Sequence, residues 1–162
     1  MATPTANAPN ALRRRLLNDI AEIRQEPYPN IHFHPQDADI TKACLILCAR
    51  DRPLHLTVRF PDDYPLRAPV VTMDSDIRHP NVFSSYICSS ILNTAEDWTP
   101  AYTLKGILIQ LLSFFASDKL EQTGGYRSVD LTQYGRGLPA DLAAKESHSC
   151  TCLLYTSPSP RD

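Results

Sequence analysis

Between Thr103 and Ala116 the chain carries Leu104, Ile107, Leu108, Ile109, Leu111, Leu112, Phe114 and Phe115. A helix built from this run is apolar on most of its sides, and such a helix persists only where neighbouring elements enclose it. The run is too short, and too interrupted by Gln110 and Ser113, to span a bilayer. It therefore has to be the centre of a soluble core, and the rest of the chain must supply the cover.

The cover is legible as strands. Leu54, Leu56, Val58 and Phe60 alternate with His55, Thr57 and Arg59, the pattern of a half-buried strand. Ala43 to Cys48 is a short apolar run without helical period, and the turn-like Arg50-Asp51-Arg52-Pro53 joins the two into a hairpin. Val70 to Met73 reads as a further strand. Upstream, Asn10 can cap a helix from about Ala11 to Gln25 whose Leu12, Leu16, Ile20 and Ile23 form one apolar stripe, with Pro27 and Pro29 ending it. The expected class is α+β: an N-terminal helix, an antiparallel meander of about four strands, an irregular segment and the central helix.

At 162 residues the chain is one domain's worth. Lys plus Arg (16) against Asp plus Glu (18) gives a net charge of -2, so neither nucleic acid nor a membrane is expected as a partner, and a protein is. The odd count of five cysteines and a start without secretory character favour a reducing setting, cytoplasmic or nuclear. Cys44 and Cys48 read as core residues rather than ligands, and neither a phosphate-binding loop nor a metal-ligand spacing is present, so no cofactor or metal is expected.

The chemistry-bearing residues follow a fixed order. Phe60-Pro61 leads into Tyr64-Pro65-Leu66-Arg67-Ala68-Pro69, then the Val70 strand, then His79-Pro80-Asn81, then Ile87-Cys88, then Trp98-Thr99-Pro100. This ordered set, over about residues 10–116, resembles the ubiquitin-conjugating enzymes, which carry ubiquitin or a ubiquitin-like protein as a thioester. The resemblance implies that Cys88 is the nucleophile and that Asn81 stabilises the oxyanion or orders the loop. His79 and Pro80 are then active-site support, His79 by packing and hydrogen bonding rather than as a base. It also implies three kinds of partner: the modifier, an activating enzyme met through Arg13 and Arg14 at the start of the first helix, and a ubiquitin ligase met through Leu66, Thr99, Pro100 and Ala101. Tyr64 reads as a buried aromatic whose hydroxyl finds a partner.

The sequence departs from the family in places. Nine positions separate His79 from Cys88, about one fewer than usual, and ten separate Cys88 from Trp98, about two more. The common Cys-Leu-Asp is here Cys88-Ser89-Ser90, the first hairpin is shortened, and the acidic residue lining the lysine's approach has only Asp118 and Glu121 as candidates. The competing reading is a non-catalytic module that binds ubiquitin, a ligase or a conjugating partner. The expected organisation is a flexible segment 1–9, a core domain 10–124 and a polar extension 125–151. Residues 152–162 match, residue for residue, one reading frame of a transposon-end sequencing adapter and are expected to be its translation, the natural chain diverging after about Thr151.

Overall fold

The computed structural model describes residues 10–49, 52–93, 97–117, 119–122 and 125–128. The expectations for residues 1–9, for Asp118 and for the chain beyond residue 128 lie outside these. Helix α1 (Asn10–Gln25) is followed by β1 (Ile31–Pro35), β2 (Lys42–Ala49), β3 (Arg52–Arg59) and β4 (Val70–Met73). Then come the short strands β5 (Val82–Phe83) and β6 (Tyr86–Ile87), one helical turn α2 (Ser90–Asn93), the central helix α3 (Leu104–Ala116), and a separate hairpin of β7 (Lys119–Gln122) and β8 (Gly125–Ser128). Glu121 lies on β7.

The first six strands form one antiparallel sheet in the order β1-β2-β3-β4-β6-β5. Its first four members are the expected meander, and β5 and β6 extend it towards the motif residues. Strand β1 was not legible: Ile31-His32-Phe33-His34-Pro35 is short and follows two prolines, yet it pairs Ile31 with Leu47 and Phe33 with Leu45. Strand periodicity sends one row of side chains to a single face. Phe33, Leu45, Leu56 and Met73 stand in register across β1 to β4, joined by Ala43, Leu47, Leu54, Val58 and Val71. Helix α3 lies on this face through Leu104, Ile107, Leu108, Leu111 and Phe115, all essentially inaccessible. Its start is set by Thr103, whose hydroxyl accepts the Gly106 N–H at 3.1 Å.

Helix α1 buries Leu16, Ile20 and Ile23, and on the same stripe a charged residue, Asp19, only 4% exposed. Burying a carboxylate is costly unless it is paired, and Asp19 is paired twice. Arg15 Nε donates to its Oδ2 at 3.1 Å, and the Tyr64 hydroxyl donates to the same oxygen at 2.7 Å. Burial, and then the neighbouring carboxylate, push the Tyr64 hydroxyl's pKa well up, which keeps it protonated and donating. The Tyr64–Pro65 peptide bond is cis, and the Trp98 indole N–H donates to the Pro65 carbonyl at 2.9 Å.

The cysteines of β2 correct one expectation. Ala43, Leu45 and Leu47 point into the helix-packed core, so Cys44 and Cys48 occupy the opposite face, where both are half-buried. Neither belongs to the helix-packed core in which the sequence reading placed them. The alternation that reads β2 as a strand also turns both cysteines away from that core.

Because Asp19 relies on Tyr64 for one of its two donors, Tyr64→Phe is expected to cost about 2 kcal/mol of stability, the range for a hydrogen bond to a charged acceptor. Urea denaturation of the variant against the parent checks this, and a loss within a few tenths of a kcal/mol would show that Arg15 suffices for Asp19.

Candidate active site

The segment after β4 is tied to the sheet before it reaches the motif. The Thr57 hydroxyl donates to Asp74 at 2.6 Å, Ser75 Oγ accepts the His55 N–H at 2.9 Å, and Ile77 is buried. His79 then enters the core. It is 7% exposed, with its ring centroid 5.3 Å from both Phe114 and Phe115 at the end of α3. Its Nδ1 accepts the Asn81 N–H at 3.0 Å and its carbonyl accepts the Val82 N–H at 3.1 Å. Burial pushes the His79 pKa down from 6.5 to about 4, so the imidazole is neutral and Nδ1 is available as an acceptor at physiological pH. His79 is thus a buried support of the loop, and Pro80 sits half-buried beside it at the turn.

From Asn81 the chain runs out and back as the β5–β6 hairpin. Phe83 opposes Tyr86 and Val82 opposes Ile87, so the connection is only Ser84-Ser85. Ser84 has φ 59°, the left-handed conformation that two-residue hairpins require. The Ser85 carbonyl accepts the Met73 N–H at 2.8 Å, which anchors the turn to β4. This tight connection is the physical form of the shortened His79-to-Cys88 spacing. It closes at Cys88, whose N–H donates to the Asn81 carbonyl at 2.8 Å, while Asn81 Nδ2 donates to the Cys88 carbonyl at 3.1 Å. Cys88 is therefore held through its main chain from both directions, and its thiol is free and solvent-exposed. Beyond it the Ser89 N–H donates to Asn93 Oδ1 at 2.6 Å and the Ser89 carbonyl accepts the Asn93 N–H at 2.9 Å, winding α2 with Ile91 buried beneath.

The hairpin thus brings His79, Pro80, Asn81 and Cys88 into one loop. The remaining site candidates lie on three other segments. Arg13 and Arg14 are exposed on α1, beside the exposed Leu17. Leu66 is 63% exposed, Pro100 and Ala101 are exposed, and Thr99 is half-buried. The Trp98–Pro65 hydrogen bond joins the two loops that carry Leu66 and Thr99-Pro100-Ala101. Arg15 does not share the exposure of Arg13 and Arg14: its guanidinium is turned onto the carbonyls of Pro100 and Tyr102. The motif reading missed Arg15 and Asp19. Two signals were present: their opposite charges four positions apart on a helix, and a carboxylate lying on an otherwise apolar stripe. Among the described residues no group of three or more His, Cys, Asp or Glu is placed to hold a metal ion, and no helix is long and apolar enough to cross a membrane.

A helix–sheet–helix domain with an exposed cysteine at the end of a His-Pro-Asn hairpin defines a class, and comparison with known proteins gives the same one. The ubiquitin-conjugating enzyme profile matches residues 15–129, and the chain belongs to that family. Among curated relatives, ubiquitin-conjugating enzyme E2 2 of Candida glabrata is 32% identical over 110 residues, covering 64% of this chain and 65% of its own length, so the chain spans slightly less than two thirds of that relative. Ubiquitin-conjugating enzyme E2 3 of Arabidopsis thaliana is 32% identical over 108 residues, covering 62% of this chain and 71% of its own. A crystal structure of a ubiquitin-conjugating enzyme E2 from Plasmodium falciparum superposes with a TM-score of 0.59 at 21% identity, over 64% of this chain and 97% of that one, a likeness of fold.

The His79 environment has a pH consequence. Folded, its pKa is about 4 against the ordinary 6.5, so below pH 6.5 the unfolded chain takes up a proton that the folded chain refuses. Stability from this source is complete above pH 6.5, declines as the pH falls towards 4, and is level below that. His34, whose pKa is lowered by burial and by the charges of His32 and Arg24, contributes in the same direction. Measured against His79→Asn, which removes the titrating group, the parent is expected to lose about 2 to 3 kcal/mol more between pH 7.5 and 4.5. Equal pH slopes in denaturant titrations of the two proteins would contradict the buried neutral imidazole.

Proposed function

We propose that this protein carries ubiquitin or a ubiquitin-like protein as a thioester on Cys88 and passes it to a lysine amine or to a ligase cysteine. The observation that carries the reading is the Cys88 thiol itself, free and exposed at the end of a hairpin whose main chain is clamped by Asn81. In loading, the Cys88 thiolate attacks the carbonyl carbon of the activating enzyme's thioester and that enzyme's thiolate leaves. In discharge, the acceptor amine attacks the Cys88 thioester, loses a proton, and releases the Cys88 thiolate with an isopeptide bond formed. Each attack passes through an oxyanion. The Asn81 side-chain amide, which in the resting loop donates to the Cys88 carbonyl, is the group assigned to stabilise it. One such donor is typically worth ~2.7 to 4 kcal/mol in the transition state.

The partner surfaces are those the family resemblance implies, and the exposure of Arg13, Arg14, Leu66, Pro100 and Ala101 supports them. Arg13 and Arg14 offer charge to the activating enzyme, and Leu66 with Thr99, Pro100 and Ala101 forms the ligase surface. An isolated exposed leucine carries little meaning; here a hydrogen bond fixes its loop to the second loop of the same surface.

With activating enzyme and ATP, the parent is expected to form an adduct that reductant removes, and Cys88→Ser either none or a reductant-resistant oxyester. No adduct with any of several ubiquitin-like proteins would replace the enzyme reading with that of a binding module. Leu66→Ala is expected to weaken ligase binding about tenfold, the lower end of what burying a leucine contributes. Titration of ligase-stimulated discharge measures it, and an unchanged ligase requirement removes Leu66 from the surface.

A further inference from the structure

The two loops of the proposed ligase surface are held from behind by a side chain that no motif marks. Arg15, on α1, donates from Nη1 to the Pro100 carbonyl at 2.8 Å, from Nη2 to the Tyr102 carbonyl at 2.6 Å, and from Nε to Asp19 Oδ2 at 3.1 Å. The same carboxylate oxygen accepts the hydroxyl of Tyr64, the residue two before Leu66. Trp98 closes the figure: its indole binds the Pro65 carbonyl, and its ring lies between those of Tyr64 and Tyr102, at 6.5 and 5.6 Å. The local bonds of the second loop, Ala101 N–H to Thr99 Oγ1 at 3.3 Å and Tyr102 N–H to the Thr99 carbonyl at 3.0 Å, give it its shape. Arg15 determines where that shape sits relative to α1.

We propose that Arg15 is a positioning residue for ligase engagement: its guanidinium, aimed by Asp19, fixes the Pro100–Tyr102 backbone so that Pro100 and Ala101 present one surface with Leu66. This deepens the ligase reading and rests on it. The argument is geometric. Three acceptors, two main-chain carbonyls two residues apart and one buried carboxylate, are met by three N–H groups of one planar fork, which only arginine supplies. A lysine ammonium keeps the charge beside Asp19 but is a point donor without that fork. The side chain of Arg15 is 29% exposed and that of Asp19 5%, so the carboxylate end is anchored in the core while the fork reaches outwards to the loop.

The test uses the full chain with Arg15→Ala, Arg15→Lys and, in parallel, Leu66→Ala. Discharge of the preloaded thioester is followed against ligase concentration, and backbone amide exchange over residues 98–103 is measured without ligase. Both Arg15 variants are expected to speed exchange at Ala101 and Tyr102 about tenfold and to raise the KM for ligase about tenfold, with the larger share of the effect in KM rather than kcat. Restoration of KM by lysine would overturn the proposal, since charge and not the fork would then be what matters. So would a lower kcat at unchanged KM, which is what loss of correctly folded protein produces. If Leu66→Ala raises KM while the Arg15 variants do not, the Arg15 assignment alone falls. If Leu66→Ala leaves KM unchanged, the ligase surface falls and the proposal with it, even where exchange is faster.

Discussion

The imidazole of His79, buried against Phe114 and Phe115, is what connects the Cys88 loop to the core. Everything distal to it is positioned by short steps: His79 Nδ1 holds the Asn81 main chain, and Asn81 holds Cys88 by its carbonyl and by its side-chain amide. The last turn of α3, the most deeply enclosed helix, thereby sets where an exposed sulfur stands. Burial that provides this rigidity also removes His79 from acid–base chemistry, because a histidine with a pKa of about 4 is neutral and already committed as an acceptor. His79 bears on Cys88 through the geometry of the loop.

A second anchor organises the loops that carry Leu66 and Pro100. Asp19 places a carboxylate in an apolar stripe, and the two groups that compensate it come from its own helix and from the loop that carries Leu66. A buried ion pair is weak evidence for stability as such, since desolvation offsets most of the attraction. Its value here is directional: Asp19 orients Arg15 and Tyr64, and each of these reaches a different part of the surface. Both anchors follow one rule, a buried polar residue that is costly by itself and that specifies an exposed loop through its partners.

How much of this could be read beforehand follows from the range of each interaction. Helices α1 and α3 and strands β2, β3 and β4 announced themselves because their patterns are local: a stripe at helical spacing, an alternation, an apolar run between turns. The class was legible from residue order, and Tyr64 was read as a buried aromatic with a bonded hydroxyl, which the Asp19 contact supplies. Strands β1, β5 and β6 were not, because Ile31-His32-Phe33 and two pairs of residues have too little length to carry a period, and they become strands only through neighbours already in place. Arg15 directly follows Arg13 and Arg14 in the chain, and only its contacts 85 and 87 positions away distinguish it from them. The side of β2 that Cys44 and Cys48 occupy was misread for the same reason: sidedness within a strand follows from register, which a short apolar run does not reveal.

If Cys88 alternates between free and loaded forms, as proposed, the composition of the loop around it bears on how that loop responds. The bonds that hold it use main-chain groups and the neutral amides of Asn81 and Asn93, with Ser89 and Ser90 where the family commonly has leucine and a carboxylate. Those of Asn81 reach Cys88 through its N–H and its carbonyl, and those of Asn93 hold the next residue, Ser89. Converting the thiolate to a thioester removes a charge at the sulfur but alters no donor or acceptor in that set. An ionic clamp would respond to the change, since its energy depends on the neighbouring charge; neutral main-chain bonds do not. The reactive loop can therefore keep one shape through loading and discharge. Residues 81–93 contain no charged side chain, so in the proposed discharge any charge that assists the incoming amine comes from another segment of the chain or from the acceptor's own surroundings.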